Sequence, residues 1–239
     1  MIYVENKKKS SKTLAKLYPF AEVIDVTSKG DFPFVKLSPF YPHGNIPVPF
    51  SQNHFAKSVE GIWQGLKVFE LEDIDTSKFE IEDMKGIKRT VRKFGKPLGH
   101  RKGIYGQELL DYLTARKQIY LPSYAWVLQN VTTKEIDLLV EIAKKTDLIL
   151  LDYETNCDIE NIRKPLSHAG LVKKYIDKKY PEIATLVFSK QSSKPISKSK
   201  SKPTNKTKQN ETKGKSKAKT SRKKKKSDKL DDGQLTMNF

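Results

Sequence analysis

Residues 31–50, "DFPFVKLSPFYPHGNIPVPF", hold five prolines and five Phe or Tyr rings. Proline lacks a backbone N–H and its ring clashes with the preceding helical turn, so neither a long helix nor a central strand can pass through them. An edge strand followed by an extended loop is what remains. A loop so rich in rings has too much apolar area to stay solvated. It must pack against a core supplied by the segments on either side.

Those segments alternate between the two hydrophobic periods. "IYV" (2–4) and "AEVIDVT" (21–27) read as short strands around a helical "SSKTLAKLY" (10–18), a βαβ-like opening. Helical signals cover 58–70, 84–94, 106–118, 122–130, 133–145 and 166–179, whereas "LILLDY" (148–153) has the length of a buried strand. Thr132 and Glu135 have capping-box spacing ahead of "IDLLVEIA". The expectation is a single α+β domain over residues 1–188, with more helix than strand and a small sheet.

Charge then divides the chain. The net charge is +18, but Lys190–Phe239 alone carries 17 basic and four acidic side chains, leaving the first 189 residues at +5. Residues 189–230 hold almost no apolar side chains and cannot offset the entropy of ordering, so a disordered lysine-rich tail is expected. Such a tail binds nucleic acid by counterion release, without sequence preference. Apolar residues return only in 231–239, where Gln234, Leu235, Met237 and Phe239 resemble a sliding-clamp-binding peptide.

The lone Cys157 excludes an internal disulfide and a thiolate cluster, as in a reducing compartment. Four scattered histidines show no zinc spacing, so neither metal nor cofactor is expected. No apolar run approaches the ~18 residues of a membrane span, and the N-terminus lacks a secretory apolar region. These features predict a soluble, cytoplasmic protein without a membrane partner.

Chemistry concentrates in "SVEGIWQGLKVFE" (58–70). With Ser58 as N-cap and about 100° per residue, Glu60, Gln64 and Lys67 fall on one stripe roughly 60° wide. Val59, Ile62, Trp63, Leu66 and Phe69 form the core face, and Gly61 and Gly65 make a bare strip between. Each glycine costs about 1 kcal/mol relative to alanine, which implies close approach by a ligand or another backbone. On spacing alone the stripe reads as a solvated face.

Residues 84–103 carry Lys85, Lys88, Arg89, Arg92, Lys93, Lys96, Arg101 and Lys102. Lys85, Lys88, Arg89 and Arg92 share the face of the expected helix, and glycines punctuate the loop after it. Arginine forks and open backbone N–H groups make a phosphate cradle, unless the face is simply solvated or a general nucleic-acid patch. Asp152 and Glu154 end the buried strand, a common place for site carboxylates. Tyr41 can stack on a base or pack in its loop; Trp63, Trp126, His168 and Cys157 read as structural.

"KLSPFYP" (36–42) followed by "SVEGIWQGLKVFE" resembles the paired signature of the NADAR family, with matches at Ser58, Val59, Glu60, Gln64 and Lys67. Gly61 and Gly65 stand where that family has a bulky or histidine residue and usually alanine. "FGKPLGHR" (94–101) is similar to a further element of the family, and "LILLDYETNCD" with "PLSHAGLVKKYI" resembles its late elements more loosely. The run from "SPFYPHGNIPVPFS" to "GHR" is most similar to a related bacterial and phage group of unsettled function.

The resemblance implies a NADAR-like fold and cleavage of an N-glycosidic bond in a ribosyl-nucleotide or ADP-ribosyl substrate. Lys67 would be nucleophile or Schiff-base former, Glu60 acid, base or stabiliser, and Gln64 a ligand of ribose or base. Arg101 takes a phosphate role because "GHR" sits where the family has its arginine. The competing reading is a non-catalytic accessory protein that binds nucleotide or nucleic acid and is recruited to DNA by tail and terminal peptide. A third is an RNA- or ribosome-associated protein.

Overall fold

The computed structural model describes residues 1–182; the basic tail and the terminal residues Gln234, Leu235, Met237 and Phe239 lie outside them. The fold is α+β, with seven α-helices and three small sheets among the described residues. The first sheet is parallel. β1 (Ile2–Asn6), α1 (Ser11–Leu17) and β2 (Glu22–Asp25) form the expected opening, but the two strands do not touch each other. Between them lies β8 (Leu148–Asp152), with Val4 opposite Leu150 on one side and Ile24 opposite it on the other. Leu148, Ile149 and Leu150 are fully buried, as a central strand covered on both faces requires.

The proline-rich stretch behaves as an edge. It forms a 3-10 turn at Phe34–Leu37 and the two-residue β3 (Ile46–Pro47), which pairs only with β4 (Phe55–Ala56). Its packing is against the long helical rod, where the Tyr124 hydroxyl donates to the Leu37 carbonyl at 2.5 Å.

That rod corrects the helix expected over 106–118 and joins it to the one expected over 122–130, which forms. Helical structure begins only at Tyr112, capped by Asp111, and continues through α4 (Tyr112–Ala115), a π-turn (Arg116–Tyr120) and α5 (Leu121–Asn130). Pro122 does not break it. A proline ring collides with the carbonyl four residues back, and the wider π-turn, with Leu121 N–H donating to the Arg116 carbonyl five back, makes the room. α6 (Thr133–Lys145) forms where predicted, without the capping box. The Thr132 hydroxyl turns to the Val127 carbonyl at 3.3 Å, and Glu135 is buried against the Lys36 ammonium at 2.8 Å. α7 (His168–Ile176) completes the body, with Ser167 as its N-cap.

The helix expected over 58–70 ends early. α2 spans Val59–Gly65, and Lys67 begins β5 (Lys67–Phe69). Non-local partners end it: the carbonyls of Gln64, Gly65 and Leu66 accept from Arg89 Nη1 at 3.3 Å, Asp75 N at 2.8 Å and Arg101 N at 2.8 Å. β5 pairs with β6 (Pro97–Arg101), and β6 with β7 (Leu109–Leu110), in an antiparallel sheet. The helix expected over 84–94 shrinks to α3 (Val91–Phe94), because residue 89 is drawn away by its backbone N–H donating to the Gln64 side chain at 3.0 Å.

The glycine strip of α2 is filled by protein. A Cβ on Gly65 would lie 2.3 Å from the Phe79 ring, and one on Gly61 2.6 Å from the Lys78 carbonyl, both in the 3-10 segment Thr76–Glu80. Phe79 is buried and cannot swing clear. Gly65→Ala is therefore expected to cost about 1–3 kcal/mol through overpacking, despite alanine's better helix propensity. Urea denaturation measures this; an unchanged midpoint would show that Thr76–Glu80 can slide away.

Candidate functional site

The expected stripe is not a solvated face. Glu60, Gln64 and Lys67 are 9 %, 6 % and 3 % exposed, although Lys67 reaches its place from a strand rather than from the helix. Gln64 donates from Nε2 to Glu60 Oε1 at 2.9 Å, one helical turn away, which fixes the carboxylate. The Gln64 Oε1 then accepts the Arg89 N–H, so the amide is held at both ends. Glu60 N–H donates to the Pro39 carbonyl at 2.8 Å, docking the "SPFYP" loop on the start of α2.

The Lys67 ammonium has no hydrogen bond or ion pair among the described residues. Its ammonium lies 5.6 Å from the Trp63 ring centre and 6.0 Å from that of Phe69. Burial lowers its pKa to about 8; the Glu60 charge opposes the shift, while Arg89 and Lys88 add to it. At that value about a tenth of the amine is neutral at pH 7, against less than about a thousandth for a free lysine.

His100 sits opposite Lys67 across β5 and β6, so both side chains share one face of the sheet. The imidazole stacks on Trp63, ring centres 3.7 Å apart, and neither ring nitrogen makes a hydrogen bond of acceptable geometry. Complete burial, reinforced by the Lys67 charge, pushes its pKa well below the usual histidine value, with only a weak opposing pull from the Trp63 carbonyl. His100 is therefore neutral, and it adds no positive charge beside the amine.

The arginines divide. Arg89 is buried beneath the site, with its guanidinium on the carbonyls of Gln64, Lys67 and Asp73 at 3.3, 2.6 and 2.6 Å, and beside the adjoining rings of Phe69 and Phe94 at 4.9 and 5.0 Å. Those bonds occupy both Nη groups, while the buried Nε has no partner among the described residues. Arg101 follows His100 on β6 and so faces the other way, where its Nη2 meets both Asp73 oxygens at 2.8 Å. Arg92 is exposed on α3. Lys88 is nearer the amine; its ammonium caps the Phe40 ring at 5.5 Å and its charge reaches Lys67. Tyr41, in the same loop as Phe40, packs its ring on His43 at 4.8 Å.

Asp152 ends β8 in a second cluster. Its Oδ2 accepts from Ser167 Oγ at 2.8 Å, Ala169 N at 3.3 Å and His168 Nδ1 at 3.0 Å. His168 Nε2 faces the Val26 carbonyl at 2.8 Å. Both imidazole nitrogens point at acceptors, so both carry hydrogens and the ring is an imidazolium. Despite burial, the Asp152 charge raises the His168 pKa, and the imidazolium in turn holds Asp152 low. Glu154, just beyond, is raised by partial burial and by Asp152.

Tyr120 joins the two clusters, and nothing in the sequence singled it out. It sits on the π-turn with its ring edge-on to Trp63 at 5.7 Å and stacked on Tyr124 at 6.3 Å. Its phenol feels both Glu60 and Asp152, and burial holds its pKa well above the usual tyrosine value. The hydroxyl has no hydrogen-bond partner among the described residues. The signal that could have found it was Pro122, whose tolerance inside a helix demands a π-turn at this point.

The assembly offers a buried, mostly protonated amine with an accessible neutral form, a fixed carboxylate and an unpartnered phenol. Among the described residues no group of three or more His, Cys, Asp or Glu could hold a metal ion, and no helix is long and apolar enough to cross a membrane. No curated protein and no solved structure matches the chain. Residues 6–172, which include every residue of this site, match the model of a family of unknown function, DUF6939, and the chain belongs to that family.

Proposed function

We propose that the protein is an N-glycosidase, NADAR-like in its chemistry, acting on a ribosyl-nucleotide or ADP-ribosyl substrate. The observation that carries the reading is Lys67: a buried amine, pKa about 8, without an ion pair, beside a carboxylate held by Gln64. Neutral Lys67 Nζ attacks C1′ as the C1′–N bond breaks, and the electron pair of that bond leaves with the base. The base takes a proton from the attacking amine by way of Glu60. Ring opening of the aminoglycoside gives an imine, and water hydrolyses it to free sugar and free lysine. Glu60 also stabilises positive charge that develops at C1′.

Lys88 supplies a cation for a substrate phosphate, since Arg89 and Arg101 are committed to carbonyls and to Asp73. The resemblance to NADAR proteins at Ser58, Val59, Glu60, Gln64 and Lys67 supports the substrate class. The test incubates the protein with NAD, ADP-ribose, phosphoribosyl-pyrimidines and ADP-ribosylated nucleic acid, with and without borohydride. Expected are a released base and, with reductant, a sugar adduct on the Lys67 peptide by mass spectrometry. No turnover of any of the four would sink the proposal.

A further inference from the structure

Several aromatic rings lie where the fold has no use for them. Phe50, Phe55 and Tyr105 are 43 %, 50 % and 78 % exposed, on the β3–β4 hairpin and on the loop between β6 and β7. Phe50 and Tyr105 belong to one surface. Tyr105 meets His54 edge-on at 5.5 Å, the Lys102 ammonium stands 5.6 Å from the Phe50 ring centre, and Ile104 N–H donates to Ser51 Oγ at 2.9 Å.

This surface is held at a cost. Phe50 adopts φ 58°, a left-handed conformation that few residues other than glycine tolerate, and such strain persists only where the surroundings enforce it. Gly103, at φ 81°, packs directly on it, so close that a Cβ there would lie 2.3 Å from the Phe50 carbonyl. Strain that presents a half-exposed ring serves something outside the fold.

The charge of the neighbouring chain says what. Residues 84–105 contain no Asp or Glu. Five exposed cations among residues 85–96 take part in none of the ion pairs of the described residues. One strand, β6, leads from Lys96 to Lys102 and the rings. Lys102, beside the rings, is shared with Glu108 at 2.6 Å, so the unpaired charge lies at the other end of β6. Rings at one end of a strand and free cations at the other suit an extended polyanion with stackable bases, whereas a protein partner would call for contiguous aliphatic area.

We infer that the surface formed by Phe50, His54, Tyr105 and Lys102 binds single-stranded nucleic acid, with bases stacked on the rings and phosphates along Arg92, Lys93 and Lys96. The surface belongs to the globular body and works independently of the tail and of Lys67 chemistry.

The test uses full-length protein and a short fluorescein-labelled oligothymidylate, read by anisotropy at low and high salt. Stacking survives high salt, whereas the contribution of a polylysine tail fades. Phe50→Asn keeps a residue that tolerates the left-handed backbone, and Tyr105→Ala alters an exposed side chain, so both variants should melt with the wild type. Each is expected to weaken high-salt binding about fivefold or more. Unchanged affinity in both variants, or no high-salt binding by the wild type, overturns the inference. So does a wild-type protein that self-associates through this surface, with variants that are monomeric and bind the oligonucleotide as before.

Discussion

Lys67→Met should make the protein more stable and inactive at once. A lysine whose pKa falls from 10.5 to about 8 on folding carries its charge into the folded state at a penalty of about 3 kcal/mol at neutral pH. Methionine fills similar space without the charge, so chemical denaturation at pH 7 should show a gain of about 1–3 kcal/mol. The sign with pH follows from the direction of the shift. Between about pH 8 and 10.5 the unfolded chain holds the proton that the folded chain has released, so the wild type gains stability with rising pH. The variant has no such gain, and the gap between them should close. The proposed glycosidase activity should rise with pH to a midpoint near 8, and the variant should lose about 10³-fold or more. A methionine variant less stable than wild type at pH 7 would mean that the amine is better solvated than its burial implies.

The Asp152–His168 pair should behave in the opposite way. Removing one partner strands the other as a buried charge, so Asp152→Asn and His168→Ala are each expected to cost about 3–5 kcal/mol. His168 has its pKa raised in the fold, so its contribution is complete below about pH 6.5 and is lost as pH rises through the raised value. Asp152 is lowered, so its contribution is present above about pH 4 and is lost as pH falls through the lowered value. Between those limits the melting difference between wild type and His168→Gln should be greatest. The groups facing the imidazolium are Asp152, the Val26 carbonyl, the Asp25 charge and the edge of Tyr124. A difference that stays flat from pH 4 to 9 would show that the ring is neutral.

Much of this was legible in the chain, and what was not had a common cause. β1, β2 and β8 declared themselves because runs such as "LILLDY" are too short and too apolar for anything else. The proline-rich stretch was readable as an edge for the same local reason. The ends of α2 and α3 were not readable, since Asp75, Arg89 and Arg101 set them from a distance through α2's last carbonyls and the Gln64 side chain. Gly61 and Gly65 announced a close approach without naming the visitor, which is Thr76–Glu80. The neighbourhood of Glu60, Gln64 and Lys67 was visible, but their burial was not. A helical wheel places side chains around one axis, whereas Lys67 arrives from β5 and the covering rings come from β6 and the π-turn. Tyr120 was marked only indirectly, by Pro122 two residues on.

The position of β8 has a consequence for how the molecule is made. β1 and β2 are synthesised before β8, yet each finds its only strand partner among the described residues in a segment that leaves the ribosome more than a hundred positions later. Until then their backbone N–H and C=O groups have no ladder to join, and the opening βαβ pattern is a frame without its middle. Closing two long loops with one strand makes this step slow, and it makes the unfinished chain an open invitation to foreign strands. A chain truncated before Leu148 should thus aggregate rather than fold, even though it retains every residue of the Lys67 cluster.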